Sequence, residues 1–432
     1  MQTFEIRDPI HKRIPFTEEE RVIIDHPFFQ RLRFISQLSF LESFVYPGAT
    51  HDRFAHSLGS MHVAKRLFGR CLASSAILNE TITKEEKEAL GQCLSMAGLM
   101  HDMGHGPFSH CSEGIFPLLK DLPLNSTWWK QIPDRQSKHE DYSVLLIQTL
   151  AEEGVLAKDF AQDVASLIHG DILPSPFFLD LEKKLPTLQR VMKTFISGIV
   201  DCDRMDYLLR DSYYCGVVYG NYDIDWMISS MGLAQHEGRL IRTMSENGVR
   251  AFEDMLLARY HMIDQVYYHK TKSGFAYYLE QAILHKEIEL TIPTDPYAYA
   301  DLQDGLVLQA LLNAAKNPKN YWSYHLMHRI PAKRLLRLYP ANKEDQKTIS
   351  FLKDLCKEQK ISYFMYEHSQ MLSKNEEIEP NVFVEKTMLQ GKIYVPILEY
   401  SDLLQKYNEK VKFTDFYLLR EDVEKFEQIQ KL

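Results

Sequence analysis

Three histidines and an aspartate crowd into His101-Asp102-Met103-Gly104-His105-Gly106-Pro107-Phe108-Ser109-His110. Packing alone rarely gathers them. Adjacent His101 and Asp102 offer a neutral imidazole nitrogen and a carboxylate oxygen, a mixed pair that suits a divalent cation. An apolar, small-residue helix is expected over 84–103. It would set His105 one turn beyond His101 on the same face. Gly106-Pro107 would then end the helix and turn the chain.

Two other stretches carry similar chemistry. In Asp201-Cys202-Asp203-Arg204-Met205-Asp206-Tyr207-Leu208-Leu209-Arg210-Asp211, the residues Asp203, Tyr207 and Asp211 share one helix face. Two carboxylates and a tyrosine make a poor core stripe. In Tyr46-Pro47-Gly48-Ala49-Thr50-His51-Asp52-Arg53-Phe54-Ala55-His56, a turn leads into a helix near Asp52, with Arg53 and His56 on one side. His56, His101, Asp102 and Asp203 thus come from three helices and leave coordination positions open for water and a substrate oxygen. His105, His110 and His139 are acid–base candidates, since imidazole titrates near operating pH. Arg53, Arg204, Arg259 and Lys270 can neutralise phosphates. These residues point to metal-assisted hydrolysis of a phosphate ester.

The elements that must hold them read as follows. Residues 4–16 are extended or turn. Thr17-Glu18-Glu19-Glu20 caps a helix running toward Ile35, interrupted at Pro27, with a basic face at Gln30-Arg31-Leu32-Arg33. Residues 115–138 form a long Pro- and Trp-bearing loop of the kind that serves as a lid. Helices follow at 139–153, 158–169 and, as one long element, 248–285. Strands are expected in the tail at 361–366, 392–398 and 413–419. The fold class is mainly α, with a helical core over 1–314 and a smaller C-terminal α+β subdomain over 315–432.

Composition narrows the function. The net charge of −9 argues against nucleic acid as the main substrate. No run of 18 apolar residues occurs, so no membrane span is expected. The six cysteines lack C-x-x-C spacing and read as reduced thiols in a cytoplasmic protein.

The three motifs together resemble the HD-domain phosphohydrolases, and within them the deoxynucleoside triphosphate triphosphohydrolases, over about Asp8 to Ile283. The resemblance implies an HD-domain core that hydrolyses dNTPs to deoxynucleoside and inorganic triphosphate. It implies one divalent cation (iron, manganese, zinc, cobalt, nickel or magnesium) on His56, His101, Asp102 and Asp203. His105, His110 and His139 then stand near the α-phosphate, with Glu113 orienting one of them. Arg53 matches a phosphate contact, as does Arg204, which replaces a common lysine; Arg259 and Lys270 match positions on the helix that closes over the nucleotide. Tyr207, Asp211, Tyr267, Gln37 and Leu38 match the sugar pocket. Asp25, Gln30 and Arg33 match a regulatory site for GTP or dGTP, while Phe4 and Arg7 depart from it. A second metal on His139 and His169 is an alternative. Relatives assemble as dimers or tetramers, so a homo-oligomer is expected. The competing reading is an HD-type phosphodiesterase or nuclease acting on another nucleotide or on single-stranded ends.

Overall fold

The computed structural model describes residues 3–370, 382–407 and 410–429. The chain is mainly α. Seven helices build the frame of the site: α1 (Arg53–Ser74), α2 (Lys84–Met100), α3 (His139–Glu152), α4 (Lys158–Ile168), α5 (Cys202–Cys215), α6 (Val249–Met262) and α7 (Lys270–Leu284). Local chemistry sets their starts. Asp52 caps α1 by accepting from the Ala55 amide at 2.9 Å, and Thr83 with Glu86 forms a capping box on α2. Asp201 caps α5, and Gly216 ends it in the left-handed conformation at φ 68°.

α1 is the central post, with α2 and α5 packed against it. The crossing with α2 is close because Gly98 has no side chain. A β-carbon there would meet Met61 Cα and Ser60 O at 3.2 Å and Ala64 Cβ at 3.3 Å. Leu67, Leu94, Leu99, Leu146 and Met205 are fully buried in the surrounding core.

Among the described residues, nine strands make three small sheets. β1 (Phe4–Asp8) and β2 (Lys12–Phe16) form a hairpin in register Ile6↔Ile14. β3 (Met231–His236) and β4 (Arg239–Ser245) pair antiparallel. β5 (Lys333–Leu338) and β6 (Tyr363–Gln370) flank β9 (Val411–Leu418) in an antiparallel sheet. β7 (Phe383–Met388) pairs with β8 (Gly391–Pro396) and runs parallel to β4, with Met244 opposite Val384. The four-stranded sheet therefore spans the boundary expected at 314/315.

Several local expectations are corrected. The helix toward Ile35 is three pieces, Glu18–Ile24, Pro27–Gln30 and a 3-10 turn at Arg31–Phe34, because Pro27 starts a new turn. The β3–β4 hairpin lay unread, although Glu237 and Gly238 (φ 48° and 75°) are the two-residue turn that such a hairpin favours. The loop 115–138 is pinned, not a free lid: Trp128 and Trp129 are buried, and Leu119 and Ser137 donate backbone bonds to Arg135 O and Pro117 O. The long helix expected at 248–285 is broken by a π turn at Ile263–Tyr267 and an extended His269. All six cysteines are free. Among the described residues, no helix is long and apolar enough to cross a membrane.

The α1–α2 crossing makes a direct prediction. Gly98→Val should destabilise the protein by about 1–3 kcal/mol through overpacking. Urea unfolding should show a lower midpoint with an unchanged slope.

Candidate active site

α2 ends at Met100, one residue before the His-Asp pair. His101 and His105 are therefore not a helical i, i+4 pair. His105 lies in a tight turn, its amide donating to Asp102 O at 3.1 Å. The turn is held by its carbonyls. Arg31, only 2% exposed, donates to Met103 O at 3.2 Å and His105 O at 2.7 Å. Tyr299 donates to Gly104 O at 2.6 Å, and Ser143 of α3 donates to His101 O at 2.6 Å. A β-carbon on Gly104 would collide with the α3 backbone at His139 and Ser143. Phe108 and Ser109 then reverse the chain at φ 58° and 57°, with the Phe108 amide held by Asp304 at 2.7 Å.

Four side chains converge where the sequence places them. His56 Nε2 lies 3.1 Å from Asp203 Oδ1 and 3.5 Å from Asp102 Oδ2. His101 Nε2 lies 3.3 Å from Asp102 Oδ1 and 3.7 Å from Asp203 Oδ1. Ligands ~2.1 Å from a shared cation stand ~3–4 Å from one another; His56, His101 and Asp102 form one group whose spacing suits a divalent metal, with Asp203 beside the two imidazoles. His101 Nδ1 is bonded to Gly98 O at 2.9 Å, while its buried Nε2 has no hydrogen-bond partner. That orphan nitrogen faces the two carboxylates, as a ligand atom should. Residues and geometry thus fit the group that the motif implies.

A further carboxylate stands behind His56. Asp206 accepts from or shares a proton with His56 Nδ1 at 2.8 Å and His11 Nε2 at 2.6 Å. Arg210 donates to both Asp206 oxygens at 2.8 Å and to Asp8 at 2.8 Å. Asp8 in turn fixes the β1–β2 turn by accepting from the Ile10 and His11 amides at 2.9 and 2.8 Å. Sequence reading missed Asp206, His11, Arg210 and Asp8. The signal was weak, since their pairing spans about 200 positions.

A second cluster abuts the first through Asp102, whose Oδ1 is 3.4 Å from His105 Nε2. The His105 ring stacks on His139 at 3.7 Å and stands edge-on to His110 at 4.9 Å. Glu113 holds His139 Nδ1 at 2.5 Å and His110 Nδ1 at 3.0 Å. Burial, then the charges of Arg53 and His139, push the His105 imidazole well below its ordinary value. His110 and His139 keep Glu113 far below the usual carboxylate range, although burial opposes them. His169 does not join His139. Its Nε2 faces Asp141 at 3.2 Å and its Nδ1 accepts from the Asp171 amide at 3.1 Å, so both nitrogens are engaged elsewhere.

The remaining predicted residues divide between the surroundings of these two clusters and positions apart from them. Arg53 is buried, paired with Asp102, and donates to Ser109 Oγ at 2.8 Å. Arg204 is buried against Gly198 O and Asp201. Asp211 accepts from Tyr267 Oη at 2.7 Å and meets His51 Nε2 at 2.8 Å. Tyr267 is the last residue of the π turn. Gln37 is buried beside them with its Oε1 unpartnered, while its backbone N–H donates to His51 O at 3.0 Å. Leu38 is half-buried next to it. Tyr207 stands 6.3 Å from the Tyr267 ring. Arg259 is buried on α6, and its charge is felt at Tyr207. Lys270 is exposed at the start of α7. Asp25, Gln30 and Arg33 lie apart. Arg33 donates to Gln30 Oε1 at 2.9 Å and covers the Phe54 ring at 3.5 Å, while exposed Asp25 pairs with Arg21.

No family model matches the chain. Individual relatives do. It is 30% identical over 338 residues to an uncharacterised protein of Methanocaldococcus jannaschii, covering 77% of this chain and 58% of that protein. It is 30% identical over 341 residues to the deoxynucleoside triphosphate triphosphohydrolase SAMHD1 of Bos taurus, covering 72% and 54%. The chain thus spans little more than half the length of these relatives. A crystal structure of a hypothetical protein from Aquifex aeolicus superposes with a TM-score of 0.71 at 26% identity over 98% of each chain. These likenesses support a place in the HD-domain, dNTPase-like family. A phosphohydrolase structure from Bacteroides thetaiotaomicron, 24% identical, shares the family's fold, with a TM-score of 0.68 over 97% of this chain and 100% of that one.

Two predictions follow from the buried charges. Burial alone would lower the His56 imidazole, but its hydrogen bonds to Asp203 and Asp206 raise it from 6.5 to about 10. In the metal-free chain that imidazolium contributes stability that is complete below pH 6.5 and lost as pH rises through about 10. A cation must displace this proton, so metal affinity should climb across the same window. Melting temperatures of chelator-treated protein should fall from neutral pH toward 10, and saturating metal should flatten the fall. Separately, Asp206→Asn should weaken metal binding about 10–100-fold by removing the anion behind a ligating imidazole. Chelator competition on the folded variant measures it.

Proposed function

We propose that the chain hydrolyses deoxynucleoside triphosphates to deoxynucleoside and inorganic triphosphate, using a divalent cation on His56, His101, Asp102 and Asp203. The observation that carries this reading is the shared wall at Asp102. On one side lie the four candidate ligands; on the other, 3.4 Å away, begins the His105–His139–Glu113–His110 cluster. A phosphate ester placed across that wall meets a cation on one face and proton donors on the other. When bound, the cation polarises a phosphoryl oxygen and lowers the pKa of water.

The chain's own groups divide the remaining work. Arg53 and Arg204 take phosphate oxygens, with Arg259 and Lys270 on the helices that flank the π turn. His105, kept neutral by burial and its cationic neighbours, aligns the ring stacked on it. The proton for the leaving 5′-oxygen comes from His139 or His110, the two imidazoles that Glu113 orients. Asp211, oriented by His51 and Tyr267, accepts from a 3′-hydroxyl. Tyr207, Tyr267, Gln37 and Leu38 enclose the sugar and leave a 2′-hydroxyl without a partner, which disfavours ribonucleotides. Asp25, Gln30 and Arg33 are the residues for a guanine nucleotide effector. A homo-oligomer in the cytoplasm, where six free thiols stay reduced, completes the reading.

Product analysis tests it. Each dNTP and rNTP is incubated with the protein and magnesium, manganese, iron or cobalt, with and without GTP. Deoxynucleoside and intact triphosphate are expected, with rNTPs poor substrates. Pyrophosphate or orthophosphate as the only inorganic product would refute the reaction, and degradation of single-stranded DNA would favour a phosphodiesterase. Asp211→Asn should lower kcat/KM for dNTPs about 10–100-fold while narrowing the gap to rNTPs.

A further inference from the structure

A second cavity, of about 240 Å3, shares no residue with the site above. It lies between the helix Leu188–Lys193 and the β3–β4 hairpin, with Phe383 of β7 at its edge. Among the described residues, Arg190, Arg239 and Arg242 line it, together with His236 and one carboxylate, Glu237.

Arg242 is the anomaly. It is 1% exposed. Its Nη1 donates to three uncharged acceptors: Val200 O at 2.8 Å, Thr194 O at 2.9 Å and Thr194 Oγ1 at 3.1 Å. Its Nε and Nη2 find no acceptor, and the guanidinium lies 4.2 Å over the Phe195 ring. Among the described residues, none of the ion pairs includes Arg242. Buried cations are ordinarily paired, because an uncompensated one loses its hydration for nothing. Burial also pushes this guanidinium below its ordinary value, which a bound anion would reverse. Glu237 does not supply the missing charge, since it belongs to the exposed turn and lies 4.0 Å from His236.

We propose that this cavity is an anion site for a polyphosphate group, with Arg242 as its floor and Arg190 and Arg239 as its rim. Three guanidiniums match a multiply charged anion whose oxygens point in several directions; a monocarboxylate would engage one fork and leave the others. The volume is below the ~300–1,000 Å3 of sites that enclose drug-sized ligands, so the cavity takes a di- or triphosphate moiety and leaves any attached nucleoside outside. Arg190 and Arg239 are exposed and already engaged by other groups, so binding exchanges those contacts for phosphate oxygens. The anion is either free inorganic polyphosphate or the tail of a nucleotide. The proposal does not depend on the hydrolytic reading, because the two sites share no residue.

Calorimetric titration of the full chain, stripped of metal and at low salt, tests it. Inorganic triphosphate is expected to bind two classes of site. Arg190→Ala with Arg239→Ala should weaken one class by about tenfold or more, the loss expected for two charge-assisted contacts, and leave the other. Arg53→Ala should do the converse. Arg242→Met should abolish the first class; if that variant does not fold, the double rim variant carries the test alone. dATP binding the first class as tightly as triphosphate identifies a nucleotide tail, and its failure to do so identifies free polyphosphate. A single class of site that survives the rim substitutions and disappears with Arg53→Ala would overturn the proposal.

Discussion

Asp206 is wholly buried, and its two oxygens are divided among His56, His11 and Arg210. That arrangement fixes which nitrogen of His56 faces the cleft. With Nδ1 committed to Asp206, only Nε2 is left to meet Asp102 and Asp203. The same carboxylate draws the β1–β2 turn against α5 through His11, and Arg210 ties that turn down again through Asp8. Gly59 on α1 leaves the space that Asp206 and Arg210 occupy, since a β-carbon there would overlap both. A hairpin, two helices and a ligand ring are thus positioned by one anion. Its burial is compensated by Arg210 and the two imidazoles; removing any partner would leave a charge without hydration.

The histidine-rich turn is held by a different device. Its backbone carbonyls, not its side chains, are the anchor points. Arg31, Tyr299 and Ser143 grip Met103, Gly104, His105 and His101 from three directions. The imidazoles are therefore free to serve the cleft. His101 turns toward the carboxylates of the ligand group, and His105 turns toward His139 and Glu113. Three histidines within ten positions reach two different chemical settings because the chain between them is bent by fixed carbonyls and by left-handed Phe108 and Ser109.

Much of this was legible in the sequence, for identifiable reasons. His56, His101, Asp102 and Asp203 stood out because their types are rare at such spacing and each lies at a helix end or on a helix face. Their convergence follows from the packing of α1, α2 and α5. The support around them was not legible. Arg31 sat in a basic run that reads as a solvated face, and only the carbonyls it meets explain its burial. His11 and Asp206 meet across 195 positions, and nothing local marks them as partners. The π turn at Ile263–Tyr267, whose last residue bonds Asp211, has no proline or glycine to announce it. Arg242 lies in the β3–β4 hairpin, which itself went unread, and its unpaired burial emerges only from the three-dimensional contacts.

The central claim is the division between His101, which holds a cation, and His105, which serves the chemistry beside it. Metal content per folded chain, measured on the wild type, His101→Ala and His105→Ala after equal metal loading, tests that division most directly. The account predicts that His101→Ala loses both metal and hydrolysis, whereas His105→Ala keeps its metal and loses hydrolysis. Loss of the metal from His105→Ala, or its retention in His101→Ala, would contradict it.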